Sequence, residues 1–233
     1  MHDGKVINHG AEKYGSTIIA DYLIDFIKTN KDKPFLAYYP MNLPHNPFHP
    51  TPRSKDRKSK NAKRNFIDMV AYMDHCVGRI EDILIELGLR ENTLMIFTAD
   101  NGTNSSLTID FFGTQRRGGK GYTHDHGTKV PLIVNLPGRI KAGQVNKDLI
   151  CFSDLFPTIV EAADLPAKKI TKGDGWSFWP QCLGKAGKKR DWIYGYYFPR
   201  PYSQKFDVMY NHWEVAWARN KRHKLYRDGR FFD

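Results

Sequence analysis

The sequence predicts an α/β fold, with a mostly parallel sheet flanked by helices and a small antiparallel layer towards the C-terminal end. Three observations predict it. Short apolar runs at residues 35–39, 93–98 and 130–135 alternate with helical periodicity over 12–30 and 64–88, and such alternation builds crossover units with helices on both sheet faces. The polar, glycine-rich and proline-rich segments lie just beyond those runs, where an α/β sheet presents its functional loops. From about residue 190 the pattern changes to aromatic runs such as Trp192-Ile193-Tyr194-Gly195-Tyr196-Tyr197-Phe198, which reads as antiparallel strand. The expected division is therefore a main domain over 1–189 and the start of a smaller antiparallel subdomain over 190–233.

The elements follow in order. Tyr14, Ile18, Ile19, Tyr22, Leu23, Phe26 and Ile27 recur at helical spacing. Pro34-Phe35-Leu36-Ala37-Tyr38-Tyr39-Pro40 then reads as a strand leading into Met41-Asn42-Leu43-Pro44-His45-Asn46-Pro47. A long amphipathic helix over 64–88 puts Phe66, Met69, Val70, Met73, Val77, Ile80, Leu84 and Leu87 on one face, with Gly88 as its stop. His75 and Cys76 sit inside that helix and read as ordinary helix residues rather than ligands. Thr93-Leu94-Met95-Ile96-Phe97-Thr98 is a short buried strand that releases Asp100 and Asn101 at its carboxyl end. No internal repeat is visible.

Three segments carry chemistry. Asp100 and Asn101 present a carboxylate and a carboxamide side by side, which suits a hard divalent cation that takes oxygen ligands. Asp-Asn-Gly is also a strong turn former, and on the triplet alone a turn is the favoured reading. His45 lies between prolines that restrict the local backbone, which favours a positioned imidazole, although by itself a histidine in a proline-rich loop reads first as a surface residue. In Arg116-Arg117-Gly118-Gly119-Lys120-Gly121, glycines let backbone and ammonium approach an anion, although the spacing is not that of a P-loop. Together the segments read as an anion-binding hydrolase site.

Composition sets limits. The chain has 233 residues, enough for one sizeable core. Its mean hydropathy of -0.58 fits a water-soluble chain, and no apolar run reaches the length of a membrane span. Three cysteines without metal-ligand spacing argue against a disulfide framework or a zinc site. The excess of 36 Lys and Arg over 25 Asp and Glu gives a net charge of +11, which attracts polyanions. Its densest part, residues 53–64, lacks interleaved aromatics, so nucleic acid is not the expected partner. That run reads as a solvated linker, or as a site for a sulfated polysaccharide. Trp176, Trp179, Trp192, Trp213 and Trp217 read as core of the small C-terminal layer, with a sugar-stacking surface as the alternative.

The three segments, in this order, resemble the sulfatase family of the alkaline phosphatase superfamily. The resemblance rests on Pro44-His45-Asn46-Pro47, on Asp100-Asn101-Gly102, and on Lys120 followed by Asp125, Gly127, Lys129 and Val130-Pro131. Ser153-Asp154-Leu155-Phe156-Pro157-Thr158 and Lys224-Leu225-Tyr226 extend it over nearly the whole chain. It implies an alkaline phosphatase-like fold and a sulfuric ester hydrolase, with a sulfated saccharide as substrate. By resemblance, Asp100 and Asn101 are metal ligands, for calcium or another divalent cation. His45 and Lys120 are then catalytic, at the leaving-group oxygen and at a sulfate oxygen. Arg116, Arg117, His124, Asp125 and His126 crowd the same loop and are candidate substrate contacts; Asp125 and His126 stand where many members have Glu and Gly.

The family's nucleophile, a formylglycine made from Cys or Ser in Cys/Ser-x-Pro-x-Arg, has no match here, since Cys76, Cys151 and Cys182 lack the pattern. The chain is therefore expected to be a fragment lacking that segment, inactive by itself. The family also implies a periplasmic, secreted or lysosomal compartment. A phosphodiesterase or phosphonate monoester hydrolase of the same superfamily, or a non-catalytic polyanion-binding relative, are the alternatives.

Overall fold

The computed structural model of the chain describes residues 4–10, 13–166, 173–198 and 214–233. Two compact units divide it, Met1–Thr93 with Gly102–Lys120, and Leu94–Asn101 with Gly121–Asp233.

The first unit is built on two helices, α1 (Gly15–Thr29) and α2 (Ala62–Glu86). Ala20 of α1 and Met69, Tyr72 and Cys76 of α2 close over Leu43 from the intervening loop, all at most 6% exposed. Burying a side chain the size of Leu43 or Met69 contributes about 1.5–3 kcal/mol, so this cluster ties the loop to both helices. Tyr72 Oη and Thr17 Oγ1 share a hydrogen bond of 2.6 Å, and Arg79 pairs with Asp21 at 2.6 Å across the same helices. Asn61 caps α2 by accepting from Arg64 N at 3.0 Å. Gly88, at φ 68°, ends it as expected, with Leu89 N returning to Leu84 O at 2.8 Å. A hairpin of β2 (Thr108–Phe111) and β3 (Thr114–Arg117) completes the unit.

The second unit contains β1 (Met95–Thr98), α3 (Asp125–Thr128), β4 (Leu132–Asn135), α4 (Leu155–Ala162), α5 (Trp179–Cys182) and the strands β5 (Ile193–Tyr197), β6 (Val215–Arg219), β7 (Lys224–Tyr226) and β8 (Phe231–Phe232). The last four form an antiparallel sheet in the order β5-β6-β7-β8. Gly195 stands opposite Trp217, and a Cβ there would lie 2.2 Å from the indole, so glycine makes room for the ring.

The mostly parallel sheet is not present: all three sheets among the described residues are antiparallel. β1 pairs with β4 in the register Met95↔Asn135 to Thr98↔Leu132. The chain joining them holds a hairpin and a single helical turn instead of a covering helix, and without a helical crossover it returns antiparallel. Residues 35–39, expected as a strand, join no ladder, and Leu36 and Tyr38 are 74% and 88% exposed. Trp179 is buried and Trp217 packs in the sheet beside Tyr226 at 6.3 Å, but Trp192 is exposed, contrary to a core role; Trp213 lies outside the described residues. No helix among the described residues is long and apolar enough to cross a membrane.

One ion pair organises the second unit below α4. Asp154, 2% exposed, accepts from Cys151 N at 2.9 Å, from Trp176 N at 2.7 Å and from Arg190 Nε at 3.0 Å. Arg190 also stacks over Trp176 and reaches Asp174 O. Thr158 Oγ1 donates to Asp154 O and accepts from Phe178 N, so helix start and distant loop share one network. Burial by itself raises the Asp154 pKa, but the bonds from Arg190, Cys151 N and Trp176 N outweigh it and hold the carboxyl below its ordinary value.

Arg190→Met leaves that carboxylate buried and unpaired, and should cost about 3–5 kcal/mol in a urea melt; a loss under about 1 kcal/mol contradicts the account. Because the folded Asp154 pKa is depressed, its contribution is complete above the unfolded value, about 4, and fades as pH falls through the folded one. Asp154→Asn should therefore be less stable at neutral pH and lack this acid-dependent loss.

Candidate active site

His45 is held at both ends of its loop. Upstream, Asn42 Oδ1 accepts from the buried Ser16 hydroxyl at 2.9 Å, and His45 N closes a turn onto Asn42 O at 3.0 Å. Leu43 anchors that turn in the core, and Leu43–Pro44 and Asn46–Pro47 are cis. Downstream, Asn65 Nδ2 of α2 donates to Phe48 O at 3.0 Å. The imidazole itself is exposed, with Nδ1 2.6 Å from Asn46 O. A carbonyl oxygen only accepts, so Nδ1 carries the hydrogen and Nε2 is left for other chemistry.

Lys120 belongs to the same unit and is positioned by backbone. Lys120 N donates to Thr103 O at 2.9 Å, and Gly118 N to Leu107 O at 2.9 Å, with Leu107 buried. A Cβ on Gly118 would fall 2.2 Å from Asn104 O and 2.4 Å from Thr103 O, so only glycine allows this approach. Asn104 then links the two loops: its Nδ2 reaches Asn46 Oδ1 at 3.4 Å, while its Oδ1 accepts from Ser106 N at 2.9 Å. The structure thus brings the His45 loop and the Lys120 loop together. Lys120 has no carboxylate partner among the described residues and is half-buried.

Arg117 Nε donates to Ser105 O at 2.7 Å, which fixes its guanidinium along the loop, and Arg116 lies over the Phe111 ring at 5.6 Å. As neighbours on β3 they point to opposite faces.

The other expected residues belong to the second unit. Asp100 and Asn101 follow the end of β1, where Thr98 Oγ1 donates to Pro131 O at 2.9 Å. Asn101 Nδ2 donates to Asp100 Oδ2, which turns the amide nitrogen inward and leaves Asn101 Oδ1 and Asp100 Oδ1 as oxygen donors. This pair fits a hard divalent cation as part of a ligand set. Among the described residues no three His, Cys, Asp or Glu side chains gather into a metal-holding group.

Asp125 pairs with Arg219 at 2.8 Å. The His124 ring stacks on Tyr122 at 5.3 Å and meets His126 edge-on at 5.4 Å. Lys224 Nζ donates to Thr123 O, and Tyr226 Oη shares a 3.0 Å hydrogen bond with Thr123 Oγ1. The Lys-Leu-Tyr strand therefore anchors the 121–128 segment, a role the sequence reading missed, as it missed Asn104. The Asn104-Ser105-Ser106 turn signature was the available signal for the latter.

Burial disfavours the thiolate of two of the three cysteines. Cys76 is fully buried and burial pushes its thiol up; burial likewise pushes Cys182 up to about 11. A formylglycine does not fit any of the three.

The sulfatase family model matches residues 3–165, and the N-sulphoglucosamine sulphohydrolase C-terminal model matches 115–233. The chain is 31% identical over 196 residues to the uncharacterized sulfatase YdeN of Escherichia coli (strain K12), covering 80% of this chain and 35% of that protein. It is 32% identical over 165 residues to the N-acetylgalactosamine-6-sulfatase of Canis lupus familiaris, covering 69% and 31%. It shares a fold with Ps i-CgsB in complex with k-i-k-neocarrahexaose, at TM-score 0.77 and 23% identity, over 98% of this chain and 49% of that one. The chain thus spans about a third of the length of the curated relatives it matches.

Gly118→Ala should force the 103–104 backbone apart, at a cost of about 1–3 kcal/mol. Amide exchange at Gly118 and Lys120 should quicken with it; unchanged protection at both contradicts the clamp. Gly78→Ala, in α2 with nothing within 4 Å of the added Cβ, should instead stabilise by about 0.5–1 kcal/mol.

Proposed function

We propose that this chain, which belongs to the sulfatase family, supplies the metal-binding and sulfate-binding residues of a sulfuric ester hydrolase acting on sulfated carbohydrate. The observation that carries the reading is the pairing of an unneutralised Lys120 with a histidine whose Nε2 is left free, on two loops tied through Asn104. The name of the 32% identical relative, N-acetylgalactosamine-6-sulfatase, supports a sugar substrate.

The task of such a site is to neutralise a sulfuryl group whose charge moves to the leaving oxygen. Lys120 would bind a sulfuryl oxygen as a compact cation held by its own backbone rather than by a counter-ion. With both ring nitrogens protonated, His45 would keep Nδ1–H on Asn46 O and give its Nε2 proton to the ester oxygen as the sugar hydroxyl departs, leaving the neutral imidazole. Asp100 and Asn101 would hold a divalent cation, calcium in the family, which supplies Lewis-acid stabilisation when bound. The nucleophile would come from outside these 233 residues. Arg116, Arg117, His124 and His126 are assigned to the rest of the substrate. Asp125 is assigned to holding its loop, because Arg219 already engages its carboxylate.

In a protein that joins this chain to a nucleophile-bearing sulfatase segment, Lys120→Ala should lower kcat on an aryl sulfate about 10²–10³-fold and His45→Ala about 10²–10⁴-fold. Thermal midpoints should hold. Chelation of divalent cations should abolish turnover, and Asp100→Asn should raise the calcium concentration needed to restore it. The chain without that segment should release no sulfate. Full activity in both the Lys120 and His45 variants would remove these residues from the chemistry.

A further inference from the structure

The basic run at 53–64 holds seven cations, Arg53, Lys55, Arg57, Lys58, Lys60, Lys63 and Arg64, against the single carboxylate of Asp56. The structure separates them into two sets. Arg53 is engaged by His75 Nδ1 at 2.8 Å and Arg57 by Pro52 O at 3.1 Å, both at the surface. Lys55, Lys58, Lys60, Lys63 and Arg64 are exposed, and none has an ion-pair partner among the described residues.

The run is a built loop. Thr51 N donates to Ser54 Oγ at 2.8 Å, Lys58 N to Asp56 Oδ1 at 3.0 Å and Asn61 N to Ser59 Oγ at 3.2 Å. Asn65, 1% exposed, uses one amide nitrogen to hold both Ser59 O and Phe48 O at 3.0 Å. The basic loop and the loop of His45 are therefore fastened to the same side chain. The one carboxylate in the run is occupied as a backbone acceptor.

The start of α2 adds to the same field. Its first turn carries Lys63 and Arg64 and no acidic residue, which sets cations at the positive end of a 25-residue helix. Such an arrangement is unfavourable by itself and is relieved by an external anion.

We propose that Lys55, Lys58, Lys60, Lys63 and Arg64 form an exosite for a sulfated polysaccharide chain, holding sulfate groups other than the one hydrolysed. This rests on the sulfatase reading for its choice of anion. Residues 53–64 contain no aromatic and no large aliphatic side chain, so they provide neither a stacking surface for nucleic-acid bases nor an apolar wedge for a bilayer. A flexible chain bearing many fixed sulfates needs only ammonium and guanidinium groups along its path.

The test compares the protein with a variant carrying Lys55→Gln, Lys58→Gln, Lys60→Gln, Lys63→Gln and Arg64→Gln. A control of equal charge change carries Gln at the exposed Lys13, Lys28, Lys31, Lys141 and Lys185. Binding of a heparin-derived dodecasaccharide at physiological salt should weaken at least about tenfold in the exosite variant, and its log-affinity against log-salt slope should shrink by about 3 or more. The control should bind nearly as the parent does, and the exosite variant should melt no lower. Equal weakening in both variants would overturn the exosite in favour of net charge. Tighter parent binding to phosphatidylserine vesicles or to single-stranded DNA than to the dodecasaccharide would overturn the choice of partner. The readout needs no turnover, so failure of sulfate hydrolysis and failure of the exosite are seen separately.

Discussion

At Gly118 two backbone segments approach so closely that no side chain can stand between them, and the candidate chemistry of the first unit depends on that contact. Glycine there lets Gly118 N and Lys120 N reach Leu107 O and Thr103 O. Asn104, in the segment they meet, extends the link to Asn46 beside His45. Ordering a loop costs about 1–2 kcal/mol per residue in backbone entropy. Here a buried leucine, two backbone hydrogen bonds and an asparagine turn offset that cost before any ligand binds. A lysine without a counter-ion is tolerable because it remains partly in solvent, and it is then ready for an anion.

The second unit divides the family motifs by physical role. Asp154 and Thr158 bind backbone and Arg190, and Lys224 and Tyr226 bind Thr123. The first set joins the start of α4 to the 174–190 segment, and the second fastens the segment that carries the candidate residues His124 and His126. Asp100 and Asn101 differ, because the bond between them leaves oxygen donors directed elsewhere. Asp125, a candidate substrate contact by resemblance, also pairs with Arg219 of β6.

Much of the helical part was legible. The apolar spacing and Gly88 located α2 to within two residues at either end, and the charged run before it proved to be an exposed loop. Strand pairing was not legible, because an apolar run such as 35–39 or 95–98 specifies extended backbone but not its neighbour or direction. The candidate site residues stand out in local motifs, and their roles came only from the family resemblance. Their supports were not legible: Asn104, Asn65 and Tyr226 act across separations of 58, 17 and 103 residues. Nor could the sequence tell Arg53 and Arg57, which hold hydrogen-bond partners, from the exposed lysines beside them.

The central claim is that these residues serve sulfate esters of carbohydrate rather than phosphodiesters or phosphonate monoesters. The most direct measurement is kcat/KM, for the protein joined to a nucleophile-bearing sulfatase segment, on a sulfated oligosaccharide, an aryl phosphodiester and an aryl phosphonate monoester under one set of conditions. The account predicts that the sulfated oligosaccharide is the best of the three, with inorganic sulfate as the product. Preference for either phosphorus ester, or no sulfate release with all three substrates, would contradict it.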